Sequence, residues 1–417
     1  MRQIILLFIL LISVFGYSQD IKNILFIGNS YTASNNLPSI VDVLAKSAGD
    51  EITFETSTGG GQTLQNHSNS AATISKIQQA NWDYVVLQEQ SQMPSFPMSQ
   101  VQVQVFPYAK ILCDTIRYYN NCTTPMFFMT WGRENGDASN CASWPPVCTY
   151  TGMDSLLNLR YRMMADSNEA LVSPVGAVWN YIRNQYPTID LYSSDGSHPS
   201  LEGSYAAACT FYTMIFQKSP LLITNDYGLN HMDADNIRNA AKIIAYDSLS
   251  KWNINKFNPQ ADFVVTNIGD SIFTENNSKY SDSYLWSFGD GTTSTLFEPT
   301  HKYSNAQTYT ISLSANKCDM ENVMDTSLSI TINNMELMET NGISVFPNPA
   351  KEYFIIKFDN ITHARDIILY SIDGRIIKEF KSINAHESTF DISDLDAGIY
   401  MLSLRIKDKE FKLKIIK

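Results

Sequence analysis

Ser30, Asp195 and His198 are the residue types from which a nucleophilic serine is assembled. A hydroxyl becomes a competent nucleophile when an imidazole takes its proton. A carboxylate then fixes the tautomer of that imidazole and stabilises the imidazolium. In Asp195-Gly196-Ser197-His198-Pro199 the carboxylate and the imidazole stand three residues apart on a turn, close enough to pair, and Pro199 suits the start of a helix. Ser30 lies in Ile27-Gly28-Asn29-Ser30-Tyr31-Thr32, directly after an apolar run; Gly28 permits a tight turn and the following amides can face an anion. Each motif alone has a plainer reading, a helix-capping serine in one case and a capping Asp beside a surface His in the other. Their combination points to acyl transfer. No Gly-x-Ser-x-Gly surrounds Ser30, which argues against the strained elbow of the α/β-hydrolases.

The elements that must hold these residues are legible in the apolar periodicity. Short apolar runs at Ile24–Ile27, Ile52–Glu55, Tyr84–Leu87, Pro125–Met129 and Leu171–Ser173 read as buried strands. Helical patterns over Leu37–Ala48, Ala72–Gln79, Val101–Tyr119, Met153–Ser167, Val175–Tyr186 and Leu201–Phe216 alternate with them. That alternation implies βαβ units, hence a parallel sheet with helices on both faces, an α/β domain over residues 19–254. Ligands of such sheets sit beyond the carboxyl ends of the strands, where Ser30 falls.

With the Ser30 and Asp195–His198 blocks in this order, the N-terminal region resembles the SGNH (GDSL-like) hydrolases. The resemblance implies a flavodoxin-like three-layer α/β/α domain and serine esterase activity without a cofactor or metal. Gly28-Asn29-Ser30 stands where that family usually has Gly-Asp-Ser, so an amide replaces the acid. The family's oxyanion hole uses the serine amide, a glycine amide and an asparagine side chain. Here Thr58-Gly59-Gly60-Gly61-Gln62-Thr63 offers Gly61, with Gly60 as the alternative. The family's third block, Gly-x-Asn-Asp, is replaced by Leu87-Gln88-Glu89-Gln90-Ser91, which makes Gln88 the expected donor and Gln90 the alternative. Asn29 and Glu89 flank the expected substrate pocket. His67 either reaches that pocket or lies on the surface. Trp131, at the head of a 132–150 insertion with Arg133, either walls the pocket with a face suited to a sugar ring or belongs to the core.

Past Trp252 the pattern turns to alternating Thr, Tyr, Phe and Val with tight-turn signals and no helical period, which reads as all-β. Trp286-Ser287-Phe288-Gly289-Asp290-Gly291, Pro299-Thr300-His301-Lys302-Tyr303 and Tyr309-Thr310-Ile311-Ser312-Leu313 together resemble a PKD-type domain, expected over 258–333 as a small sandwich. A polar linker is expected over 334–342. The tail holds Val345-Phe346-Pro347-Asn348-Pro349 and Leu395-Asp396-Ala397-Gly398-Ile399-Tyr400, with an Asp373-Gly374 hairpin turn between Ile367–Ile372 and Arg375–Phe380. Residues 343–417 thereby resemble the C-terminal sorting domain of type IX secretion, a second small all-β module. This implies the type IX machinery as a partner and export across an outer membrane.

Composition agrees with that compartment. Arg2 ahead of an apolar run from Ile4 to Phe15, then Gly16-Tyr17-Ser18, reads as a signal peptide over 1–18. The 417 residues carry a formal charge of −12, which disfavours nucleic acid and anionic membranes as partners. Residues 341–417 hold 12 Lys/Arg against 11 Asp/Glu, leaving 18 against 31 in the rest, so the charge balance changes where the tail begins. Of six cysteines, Cys141 and Cys148 bracket a short loop and are the expected bridge; the others stay open, with Cys209 and Cys318 as free buried thiols or partners. No later stretch is apolar enough to insert into a membrane. The expected substrates are acetyl esters of carbohydrate or other small esters. The alternatives are a lipase or thioesterase on longer acyl chains and a non-catalytic glycan-binding or adhesion protein.

Overall fold

A computed structural model describes residues 21–268, 270–331 and 342–417. The signal peptide expected over 1–18 and, apart from Gly342, the linker expected over 334–342 lie outside the described residues. The chain forms two compact units: residues up to Val265 with Thr274–Pro299 and Thr310–Ser327, and Thr266–Phe273 with Thr300–Tyr309 and Leu328–Lys417.

In the first unit, five strands build one sheet: β1 (Ile21–Gly28), β2 (Glu51–Thr58), β3 (Tyr84–Leu87), β4 (Thr124–Phe128) and β5 (Leu171–Ser173). Their order is β2-β1-β3-β4-β5 and every pairing is parallel, which is the flavodoxin-like doubly wound arrangement. Ile24, Leu25, Phe26 and Ile27 are all fully buried, as a strand covered on both faces requires. Helices Leu37–Ser47 and Leu201–Phe216 pack together, while Phe106–Tyr119 packs with Leu64–Ser68, Ala71–Ile77 and Tyr150–Ser167. Residues Gly203–Phe216 are buried all round, so this apolar helix is a core element rather than an amphipathic cover.

The expected helix over 101–119 is two helices, Met98–Gln104 and Phe106–Tyr119. Pro107 explains the break at Val105: it has no N–H to donate to the Val103 carbonyl and its ring would clash with that carbonyl in a continuous helix, whereas it is tolerated in the first turn of a new one. The helix His231–Ile244 was not expected: Ala234, Ile237, Ala240 and Ala241 recur at helical spacing on its buried face, but that face is mostly alanine and the segment as a whole is polar.

Beyond Trp252 all strands pair antiparallel where their register is described. One sheet orders Met320–Ser329, Thr308–Lys317, Ser283–Ser287 and Thr293–Ser294, with fully buried Trp286 donating its indole N–H to the Leu296 carbonyl. A second joins Thr300–Lys302, Ser271–Asn276 and Phe263–Ile268. In the tail, Tyr353–Ser371 is the central strand, and it turns at Asp373-Gly374 into Ile376–Phe380 as expected. Phe354, Ile356, Phe358, Leu402, Leu404 and Ile415 fill the tail's core.

Cys141 bonds to Cys148, as their spacing suggested. Cys122, before β4, bonds to Cys318, 196 residues away between strands Thr308–Lys317 and Met320–Ser329; Cys113 and Cys209 are free and buried. A cross-link stabilises by restricting the unfolded chain, more so for a longer loop. Cys318→Ser should therefore lower the unfolding free energy of this unit by about 5 kcal/mol, against about 2 kcal/mol for Cys148→Ser. Guanidinium unfolding followed by tryptophan fluorescence reads the difference; equal losses would contradict the loop-length argument.

Candidate active site

Ser30 sits just past the carboxyl end of β1, at the first position of the short helix Ser30–Ala33. The turn that presents it has room for glycine only. A Cβ on Gly28 would lie 2.4 Å from Thr32 Oγ1 and 2.6 Å from Gln88 Oε1. Asn29 caps the helix, its Oδ1 accepting from the Tyr31 amide at 3.0 Å, and its Nδ2 donates to the Gln62 carbonyl at 3.0 Å. The nucleophile loop is thereby tied to the glycine block that follows β2, whose end pairs in register with β1 (Gly28 with Thr58).

The second loop is closed by its own backbone. Ser193 N–H donates to the His198 carbonyl at 2.8 Å, and Tyr192 and Pro199 form a β-bridge. Asp195 Oδ1 accepts from the Ser193 hydroxyl at 2.8 Å and from the Ser197 and His198 amides at 2.9 Å each. Gly196 turns at φ +65°, and a Cβ there would stand 3.2 Å from Glu134 Oε2.

Between the loops lies the imidazole of His198, with Nδ1 2.5 Å from Asp195 Oδ2 and Nε2 2.8 Å from Ser30 Oγ. A carboxylate only accepts, so Nδ1 carries the hydrogen and Nε2 is left to accept from the serine hydroxyl. Partial desolvation pushes the Asp195 carboxyl up, but the bonds from His198, Ser197 and Ser193 outweigh it and hold the group well below the usual carboxylate range. The pair is open to solvent: the side chains of His198 and Asp195 are 38% and 48% exposed. This arrangement can deprotonate Ser30 as it attacks an ester carbonyl and return the proton to the leaving alcohol.

The glycine block presents what an anion needs. Gly60 and Gly61 are exposed with open space around them, and Gly61 adopts φ +68°. The amides of Ser30 and Gly61 make no hydrogen bond among the described residues.

The glutamines do not fill the third oxyanion position. Gln88 is fully buried; its Oε1 accepts from the Asn29 amide and the Thr32 hydroxyl, each at 2.9 Å, and its Nε2 donates to the Glu89 carbonyl. Gln90 folds back on its own turn, Oε1 accepting from the Gln92 and Met93 amides and Nε2 donating to Gln92 Oε1 and Ser91 Oγ. Gln88 thus ties the loop after β1 to the segment after β3, and Gln90 closes its own turn.

The four expected pocket residues lie beneath the site instead of lining it. Asn29 is 2% exposed, Trp131 1%, and Glu89 and His67 are fully buried. His67 is neither in the pocket nor on the surface: its Nε2 donates to the Gly28 carbonyl at 2.8 Å and its Nδ1 meets Thr73 Oγ1 at 3.1 Å. Burial lowers its pKa, so it serves as a neutral strut under β1. Trp131 stacks on Trp179 at 3.7 Å and on Tyr31 at 4.9 Å and offers no free face to a sugar. Glu89 Oε1 accepts from the amides of Leu64 (3.2 Å) and Gln90 (2.6 Å), clamping the segment after the glycine block to that after β3.

Residues not singled out in the sequence complete the assembly. Asn35, at φ 54°, donates to the carbonyls of Pro199 and Ser200 and to Ser204 Oγ, holding the Ser30 and His198 segments together. An Asn35-Asn36 pair ahead of Pro38 is a left-handed turn signal that marks the position but not its partner. Tyr31 joins the Ser30 helix to Ser197 by a 2.6 Å hydroxyl contact. Among the described residues no cluster of His, Cys, Asp and Glu has the form of a metal site.

Burial pushes the Glu89 carboxyl up to about 8 from its usual 4.5, against the pull of the two amides. Its folded-state pKa lies above the unfolded one, so its stabilising contribution is complete below pH 4.5 and is lost as pH rises to about 8. Glu89→Gln should flatten that slope, removing on the order of 3 kcal/mol of the stability change between pH 5 and pH 8. Denaturation midpoints of wild type and variant at those two pH values test this, and parallel slopes would contradict it.

Residues 344–417 match the family model of the secretion system C-terminal sorting domain, and residues 258–332 that of the PKD domain. No curated protein matches the chain. Among solved structures, a DUF4886 family protein from Bacteroides uniformis is 17% identical, covering 56% of this chain and 100% of its own, with a TM-score of 0.47. A candidate SGNH hydrolase from Slackia heliotrinireducens is 24% identical over 46% of this chain and 98% of its own, with a TM-score of 0.38. The PKD1 domain of the Vibrio cholerae metalloprotease PrtV is 32% identical over 18% of this chain and 98% of its own, with a TM-score of 0.17. The sorting-domain match indicates type IX export to the cell surface or beyond, and no described helix is long and apolar enough to cross a membrane. Behind its N-terminal α/β domain the chain therefore carries a PKD domain at 258–332 and a secretion system C-terminal sorting domain at 344–417.

Proposed function

We propose that this protein is an exported serine esterase that removes acetyl groups from carbohydrate through an acyl-enzyme on Ser30, the catalytic domain spanning residues 19–254. The observation that carries this reading is the continuous chain Ser30 Oγ–His198 Nε2 at 2.8 Å and His198 Nδ1–Asp195 Oδ2 at 2.5 Å. Ser30 Oγ adds to the ester carbonyl while His198 takes its proton. The tetrahedral oxyanion is received by the amides of Ser30 and Gly61, with Gly60 as neighbour. Collapse expels the sugar alcohol, protonated by His198, and a water activated by the same imidazole releases acetate.

Two features favour an ester borne on a bulky carrier. The reacting pair is exposed enough to meet an ester on a polymer surface. Export with a PKD domain and a sorting tail supports a substrate outside the cell, where polymers carry such esters.

Wild type should hydrolyse p-nitrophenyl acetate, and Ser30→Ala should lose roughly 10³-fold or more in kcat/KM while keeping its unfolding midpoint. Asp195→Asn should lose a comparable factor, because the amide no longer holds Nδ1–H. Acetate release from acetylated xylan should exceed hydrolysis of a p-nitrophenyl ester with a long acyl chain. Equal rates for wild type and Ser30→Ala would contradict the mechanism, and preference for the long chain would contradict the substrate.

A further inference from the structure

We infer that Tyr31, backed by Trp131 and Trp179, positions the His198 imidazole for proton transfer. This rests on the Ser30–His198–Asp195 reading above and adds to it a group outside the triad.

The His198 side chain is 38% exposed and, among the described residues, its two nitrogens are held by Ser30, at the start of a short helix, and by Asp195, on a loop. A ring pinned at two edge atoms can still tilt about the line joining them. Tyr31 closes that freedom. Its ring meets the imidazole at 68°, with centroids 5.3 Å apart, within the range of favourable edge-to-face contacts. The Tyr31 ring is 2% exposed and lies parallel to Trp131 at 4.9 Å and 5°. Trp131 in turn lies parallel to Trp179 at 3.7 Å and 9°, and both indoles are buried in the core. The stack is fastened at both layers to the loop it serves. Tyr31 Oη meets Ser197 Oγ at 2.6 Å, and Trp131 Nε1 donates to the Ser197 carbonyl at 3.1 Å. Ser197 directly precedes His198, so the stack fixes both the backbone that carries the imidazole and one side of the ring. Trp179 also donates to the Gly203 carbonyl at 3.3 Å in the helix that follows the catalytic loop. Tyr31 is thus a positioning residue: it touches the base, not the ester.

The two contacts of Tyr31 separate by substitution. Tyr31→Phe keeps the ring and loses the hydroxyl contact; Tyr31→Leu loses both. On p-nitrophenyl acetate, Tyr31→Phe should lower kcat about fivefold with KM unchanged. Tyr31→Leu should lower kcat roughly 10- to 100-fold, again with little change in KM, because a misplaced base slows the chemical step and not binding. The Tyr31 hydroxyl also bonds the Ser91 side chain, so Ser197→Ala should cost no more than Tyr31→Phe, and the double variant should be no worse than Tyr31→Phe alone, since Ser197→Ala removes a bond that Tyr31→Phe has already removed. Additive losses in that cycle would overturn the Ser197 link. A wild-type kcat in Tyr31→Leu, or a loss confined to KM, would overturn the positioning role. If Tyr31→Leu does not fold, the Tyr31→Phe and Ser197→Ala cycle decides alone. Loss in Ser30→Ala with full activity in the Tyr31 variants overturns this inference only. Equal rates for Ser30→Ala and wild type overturn the esterase reading and this inference with it.

Discussion

The hydrogen bond between His198 Nε2 and Ser30 Oγ joins groups 168 residues apart in sequence, and much of the domain's local structure serves to hold them at 2.8 Å. Ser30 is placed by the end of β1, where Gly28 gives way to the Thr32 hydroxyl and the Gln88 carboxamide. His198 is placed by a loop that spends three hydrogen bonds on one oxygen of Asp195 so that the other faces the imidazole. Each loop is tied to the other as well as to its own backbone. Asn35 on one side and Tyr31 on the other bind the two together, and Trp131 connects them to the core. A serine nucleophile needs its base in hydrogen-bond reach before any proton moves, so these contacts come before the chemistry in the causal order.

The buried polar groups beneath the site have the same purpose. His67, Gln88 and Glu89 are residue types that could serve a reacting group, yet each bonds to loop backbone beneath the site. Buried polar atoms are costly unless paired, and loop backbone at the end of a sheet has amides and carbonyls to pair. The carboxyl of Glu89 carries this furthest. It anchors two amides with one oxygen, while its other oxygen is buried with no partner among the described residues. Its raised pKa leaves it protonated at neutral pH, which lessens the cost of burying it.

The sequence was most informative where the physics is local. Apolar runs such as Ile24–Ile27, bounded by turn residues, located all five strands of the sheet, and the three-residue spacing of Asp195 and His198 located their pairing. The Cys141–Cys148 bridge was legible because a short loop brings its ends together whatever the rest does. Long-range relations were not legible. Nothing adjacent to Cys122 names Cys318 as its partner, and nothing in Trp131 distinguishes a sugar platform from the middle of an aromatic stack. The glutamines failed for a different reason. Gln88 and Gln90 carry the right donor, but the direction of a side chain depends on which backbone groups the surrounding loops leave unpaired. Residue type gives capacity for a hydrogen bond; the fold decides who receives it.

Covalent capture at Ser30 tests the central claim most directly. A fluorophosphonate traps only a serine whose hydroxyl is deprotonated by a neighbouring base, and peptide mass mapping reads the site of the adduct. The account expects one phosphonyl group per chain, on the peptide containing Gly28-Asn29-Ser30-Tyr31, and none in His198→Ala. An unmodified Ser30 peptide in folded wild type, or an adduct on another serine, would contradict it.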